Sequence, residues 1–210
     1  MARLDYIRDP QEIYRRSFDG IAAEADLAAL PPAMRGVAVR LIHACGMTDL
    51  AGDLLFSPGA AEAGRQAIAN GAAVICDVEM VRSGIIRSRF KAGNDIVCSL
   101  NDAGVAEHAN ASGQTRSAAA VEFWGERLAG AVVAIGNAPT ALFRLLELLD
   151  DGAPRPALII GMPVGFVGAA ESKAELAANP RGCEFITIRG RRGGSALAAA
   201  AVNALATTEN

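Results

Sequence analysis

Strong chemical signatures are scarce in this chain. Two histidines, four cysteines and one tryptophan are spread over 210 residues, and aromatic side chains amount to 5%. An excess of one charge is missing as well, the formal net charge being −3. Without a basic surplus there is nothing to neutralise a nucleic-acid backbone, and no Lys/Arg block marks an anionic membrane surface. Cys45, Cys76, Cys98 and Cys183 are irregularly spaced, match no zinc pattern and sit in apolar company, where buried free thiols are expected. Long apolar runs are absent too. The most apolar stretch, 131–149, is interrupted by Asn137, Pro139, Arg144 and Glu147, which excludes a membrane span. The opening residues Met1-Ala2-Arg3-Leu4-Asp5-Tyr6 have no apolar h-region and cannot be a secretory signal. A soluble, cytoplasmic, single-domain protein is expected, with neither nucleic acid nor membrane as partner.

Small and apolar residues are what the chain has in quantity: 51% is hydrophobic and 22 residues are glycine. Such residues let elements approach closely and suit a surface that meets a broad, flat ligand or a second subunit. Asp9-Pro10-Gln11-Glu12 is a helix start, with an acceptor at the N-cap, proline at N1 and glutamate at N3. Tyr14, Phe18, Ile21, Ala25 and Ala28 carry an apolar stripe on to about Leu30. That pattern puts Tyr14 in the core and its i+3 neighbour Ser17 in solvent. Pro31-Pro32 and Gly46 bracket a second helix over 33–45. Its core stripe is Ala38, Leu41 and Cys45. His43, two residues from both Leu41 and Cys45, projects from the opposite side with Gly36, Arg40 and Met47. A third helix opens at Ser57-Pro58 and stops at Asn70-Gly71.

After residue 70 the period changes. Residues 72–77, 95–100, 131–136, 157–161 and 184–189 are short apolar runs, which predict strands buried on both faces. Helical stretches over 117–128, 138–149, 168–178 and 195–206 follow or separate them, with one or two turns around 78–83. The prediction is a three-layer α/β fold: a flavodoxin-like, five-stranded parallel sheet of order 2-1-3-4-5 with extra N-terminal helices. Residues 1–210 form a single domain, in which 1–70 is helical and carries His43 while 71–210 builds the sheet. Ligands of such sheets bind beyond the carboxyl ends of the strands at a switch point, here where 77–82 and 136–140 emerge.

The polar residues at those ends are the candidates for chemistry. Gly136-Asn137-Ala138-Pro139-Thr140 offers helix-start amides to an anion, although Asn137 serves equally well as a plain cap. Asp77 and Glu79, two apart and far from histidine in sequence, read better as helix caps than as an acid–base pair. Thr115 and Arg116 stand just ahead of a helix. Gly190-Arg191-Arg192-Gly193-Gly194-Ser195 either holds carboxylates or is a solvated loop. The glycine-rich stretch 161–168 lacks both dinucleotide and P-loop spacing, no serine or cysteine stands in a nucleophile elbow, and no histidines have metal spacing. From position alone, a lone helical histidine such as His43 is more often structural than catalytic.

Asp5-Tyr6-Ile7-Arg8-Asp9-Pro10 with 12–18, Arg40-Leu41-Ile42-His43-Ala44-Cys45-Gly46, Cys76-Asp77-Val78-Glu79-Met80-Val81, Thr115-Arg116-Ser117, 132–140, 161–173 and 189–195 form a distinctive succession. Taken together, these stretches resemble the precorrin-8X methylmutase family of cobalamin biosynthesis and its cobalt-precorrin counterpart. The likeness covers nearly the whole chain and departs at 101–113, around His108, and after Leu205. It implies an isomerase that moves a methyl group from C-11 to C-12 in ring C of a tetrapyrrole, giving hydrogenobyrinic acid. No cofactor is implied: neither S-adenosylmethionine, metal nor nicotinamide. A homodimer with sites near the subunit interface is implied as well. On that reading His43 is the proton donor/acceptor to the ring C nitrogen. Tyr14, Ser17, Arg40, Arg82, Thr115, Arg116, Gly136 and Asn137 are the candidates to hold a substrate rich in carboxylates. The rival readings are a non-catalytic corrinoid carrier and a flavin- or nucleotide-binding protein, the second disfavoured by the missing phosphate loop.

Overall fold

The computed structural model describes residues 4–207. Two helices lead the chain. Helix α1 (Pro10–Glu24) starts as its cap predicts, with the Asp9 carboxylate accepting from the Glu12 amide at 2.9 Å. It ends a turn and a half earlier than the stripe suggested, because Ala25 turns extended and the chain must fold back toward Pro31. Only Ile21 of α1 is buried; Tyr14, and Ala28 beyond the helix end, lie in solvent rather than in the core. Helix α2 (Pro32–Cys45) stops at Gly46, whose φ of 71° is the left-handed cap that glycine allows.

A six-stranded mixed sheet follows, in place of the five parallel strands expected. Its members are β1 (Leu54–Phe56), β2 (Val74–Cys76), β3 (Ile96–Val97), β4 (Val132–Ile135), β5 (Leu158–Gly161) and β6 (Glu184–Ile188). They lie in the order β1-β6-β5-β4-β2-β3, with β1 antiparallel to β6 and the other pairs parallel. Strand β1 therefore belongs to the stretch expected to be wholly helical. Three residues of Leu-Leu-Phe are too short to show alternation, and the strand exists because it pairs with the β6 edge.

Side chains of the central strands alternate between two cores. Val74, Val132, Ala134, Leu158, Ile160 and Ile186 face α2, α3 (Ala60–Ala69), α4 (Glu79–Gly84) and α9 (Ser195–Leu205). Ile75, Val133, Ile135, Ile159 and Phe185 face α7 (Pro139–Asp150) and α8 (Ala169–Ala178), with Trp124 and Leu128. Two shorter helices, α5 (Val105–Ser112) and α6 (Arg116–Glu122), fill the path from β3 to β4. The richness in small residues has a local cause in α9, which lies against the sheet on one side and α2 and α4 on the other. A Cβ on Gly84 would come within 2.7 Å of the Ala199 methyl, and one on Gly136 within 2.8 Å of the Ser195 Cα. Helices this close leave no room for larger side chains. Among the described residues no helix is long and apolar enough to cross a membrane.

Candidate functional site

Helix α1 lies across α2 and brings five side chains to one exposed patch. His43 is on the last turn of α2, Arg40 one turn before it, and Tyr14, Ser17 and Phe18 descend on them from α1. The Ser17 hydroxyl and His43 Nδ1 are 3.0 Å apart. Phe18 stacks on the imidazole with ring centroids 5.2 Å apart and planes 25° from parallel. Tyr14 packs on Phe18 at 4.4 Å and stands 6.0 Å from the His43 ring. The Arg40 guanidinium lies 5.0 Å from the Phe18 ring centroid and 5.3 Å from that of Tyr14, within cation–π range of both.

This arrangement fixes the histidine by both its face and its edge. Stacking defines the ring plane and the serine hydroxyl occupies Nδ1, so the tautomer is set by what the hydroxyl does. Among the described residues Nε2 makes no hydrogen bond, and His43 is exposed. Below it, the brace is α1 itself: Arg15 and Arg16 both grip Glu12, at 2.8 and 2.6 Å, which holds the Glu12 carboxyl at a pKa of about 2. Ser17, expected in solvent, is half-buried on the histidine, while Tyr14, expected in the core, is 45% exposed. Of that stripe Ile21 is in the core and Ala25 packs against it, while Tyr14 and Phe18 meet the polar side of α2 instead. Phe18 was counted only as part of the apolar repeat. Its signal was its place four residues after Tyr14, one turn along the same face.

The remaining candidates sit on other elements with partners of their own. Arg82 on α4 pairs with Glu79 at 3.2 Å. Thr115 caps α6 by accepting from the Ala118 amide at 3.2 Å, and its hydroxyl meets that of Thr140 at 2.8 Å. Arg116, the next residue, is exposed. The free amides expected at Gly136 and Asn137 are not free. The buried Asp77 carboxylate accepts from Gly136, Asn137 and Ala138 at 2.9, 2.9 and 3.0 Å, filling the anion site at the start of α7. Burial pushes this carboxyl up from its ordinary value while the three amides hold it down. The capping reading of Asp77 was right in kind, but the helix it caps begins some sixty residues later. His108, outside the site, bonds to Glu122 at 2.7 Å in a network with Gln114 and Arg144. Burial pushes the Cys76 thiol up, and the Cys98 thiol to about 11, so neither is a ready nucleophile at neutral pH. No group of three or more metal-ligating side chains occurs among the described residues.

Comparison with known proteins points one way. The sequence model described as precorrin-8X methylmutase matches residues 12–208. A precorrin-8X methylmutase of Pseudomonas aeruginosa is 63% identical, over 97% of this chain and 98% of its own. One from Sinorhizobium is 55% identical over 98% of both. A cobalt-precorrin-8 methylmutase of Priestia megaterium is 40% identical over 93% of this chain and 87% of its own. Among solved structures, the precorrin-8X methyl mutase of Thermus thermophilus superposes with a TM-score of 0.83 at 38% identity, covering 92% of this chain and 95% of that one.

Proposed function

The chain belongs to the precorrin-8X methylmutase family and is an isomerase, and from that premise we propose that it moves a methyl group from C-11 to C-12 of precorrin-8X to give hydrogenobyrinic acid. The two relatives above half identity are named for precorrin-8X and the one at 40% for cobalt-precorrin-8, which favours the former as substrate.

A sigmatropic shift breaks and makes its bonds within one conjugated ring, so no covalent link to the protein is needed. The protein's part is to hold the macrocycle in the reactive tautomer and to place a proton at ring C. His43 suits this, because an imidazole nitrogen can both donate and accept a proton. Its Nε2 is the donating or accepting atom in this scheme. Ser17 and Phe18 keep the ring from turning away, and Arg40 offers positive charge to a carboxylate beside it. The observation that carries the reading is the exposed His43 imidazole, pinned at Nδ1 by Ser17 and stacked on Phe18.

A single copy leaves this patch open, with Ile13, Tyr14 and Met47 exposed around it. We infer a homodimer in which a second copy closes the site and excludes water. Arg82, Thr115 and Arg116 then serve as polar contacts from the sheet edge.

The test is an absorbance time course of the purified protein with precorrin-8X beside His43→Ala. Wild-type conversion to the hydrogenobyrinic acid spectrum, with a variant that binds but does not convert, supports both the activity and the role of His43. Equal rates would remove His43 from the chemistry. Tight corrinoid binding by wild type without conversion would make the protein a carrier.

A further inference from the structure

One hollow adjoins the His43 patch, and a second adjoins the first. The smaller, about 240 Å³, runs from Phe18 and Arg40 to Ala204 and Thr207. The larger, about 450 Å³, has Arg65 and Thr207 in common with it and continues over Ile68 and Leu205 to Arg89 and Lys91. Its floor is apolar and its rim is cationic. Arg89 donates to the Asn203 carbonyl at 3.0 Å and Lys91 to that of Ser88 at 2.9 Å. These bonds position the two heads without neutralising them. Among the described residues, no carboxylate forms an ion pair with Arg40, Arg89 or Lys91. Burial and the nearby charge of Arg40 also pull the Arg89 guanidinium below its ordinary value, so these two guanidiniums lie close enough to repel. Like charges gathered on an apolar floor raise the energy of the empty protein, and an anion with an apolar body relieves that cost.

We propose that this hollow is a binding subsite for the peripheral carboxylates of a polycarboxylate ligand whose reacting ring lies at His43, with Arg89 and Lys91 as the residues that hold them. The proposal rests on the tetrapyrrole reading given above. The volume lies within the usual range for ligand clefts but takes only part of a macrocycle, as it must if the reacting ring is outside it on the histidine patch. Arg89 also ties the subsite to α9 through Asn203, whose side chain accepts from the Ile86 amide at 2.8 Å and donates to the Gly84 carbonyl at 2.9 Å. The segment carrying both cations is thus held in place before the ligand arrives.

The experiment titrates wild type, Arg89→Gln, Lys91→Gln and the control Arg155→Gln with hydrogenobyrinic acid, and in parallel with the same corrinoid esterified at its carboxylates. Circular dichroism checks that each variant is folded. Each of the two rim variants should bind the free acid about tenfold more weakly, the equivalent of one charge-assisted hydrogen bond. The ester should bind them as it binds wild type, and the control should match wild type throughout. Unchanged affinity for the acid in both rim variants would overturn the subsite. So would an equal loss for acid and ester, which signals lost shape, or an equal loss in Arg155→Gln, which signals bulk charge. If wild type converts precorrin-8X while the rim variants bind normally, the subsite alone is wrong. If wild type neither binds nor converts any tetrapyrrole, the functional reading falls and the subsite with it.

Discussion

Replacing Ser17 by alanine isolates one bond at the site. The residue is on a helix, alanine is the better helix former, and α1 buries only Ile21, so the substitution leaves the fold intact. What is lost is the 3.0 Å contact to His43 Nδ1. A hydrogen bond between neutral groups nets about 0.5–1.5 kcal/mol. If that bond orients the imidazole for proton transfer, its loss slows the chemical step by roughly two- to twelvefold. His43→Ala, which removes the proton carrier itself, should cost about 10²–10⁴-fold. The informative species is the double variant. If Ser17 acts on the reaction only through His43, its removal on the His43→Ala background should change nothing, and the coupling should equal the whole single-variant effect. Single-turnover absorbance traces with enzyme in excess give these rates free of product release. Should Ser17→Ala slow the His43→Ala protein by the same factor as wild type, the serine acts on the substrate by itself and the orienting role is wrong. A wild-type rate in the single variant would show that the contact contributes nothing to turnover.

Asp77→Ala strips one buried carboxylate from three amides and should cost about 3–5 kcal/mol. Calorimetry should then show Tm lower by roughly 6–20 °C for a chain of this size, with Asp77→Asn between the two. Gly136→Ala drives a methyl to within 2.8 Å of the Ser195 Cα and the Val81 side chain and should destabilise by about 1–3 kcal/mol in urea melts. Lys173, buried with its ammonium on the Arg192 carbonyl, has its pKa lowered by burial from 10.5 to about 8. Between those two values the unfolded chain binds the extra proton, so stability gains from this residue as pH rises through the window. The urea midpoint of wild type relative to Lys173→Met should therefore climb from pH 7.5 to 10, and a flat difference would show that the ammonium is not desolvated.

The elements that announced themselves did so by local rules. Asp9-Pro10 started α1, Pro32 and Gly46 bounded α2, and the continuous apolar runs marked the buried strands, because each depends on a few neighbouring residues. What stayed hidden depends on distant ones. Strand β1 needs the β6 edge beside it, and the full α9 core stripe makes sense only between the sheet and α2. At the site, the placement of His43 on the face away from Leu41 was legible from helical spacing alone. Its partners were not, since Ser17 is 26 residues away and reaches it through the packing of α1 on α2. Periodicity identified the shared face of Tyr14 and Phe18 without saying that a histidine would cover it.

The loop after β4 separates a fold-level rule from its local outcome. Parallel sheets collect ligands where neighbouring strands send their loops to opposite faces, and here β2 leads to α4 on one face while β4 leads to α7 on the other. The helix start at that point would hold an anion, but Asp77 already sits in it with both oxygens engaged. A ligand carrying carboxylates gains nothing from those amides, because all three are already taken. On the proposed reading such a ligand is gripped by side chains, and the exposed or half-buried guanidiniums of Arg40, Arg82, Arg89 and Arg116 are on α2, on α4 and its following turn, and at the start of α6. A helix terminus fixes one anion at one point, whereas guanidiniums on separate elements follow carboxylates spread around a macrocycle. On the proposed reading, locking Asp77 inside the fold stabilises the sheet edge and leaves recognition to side-chain cations on separate elements and to His43 on α2.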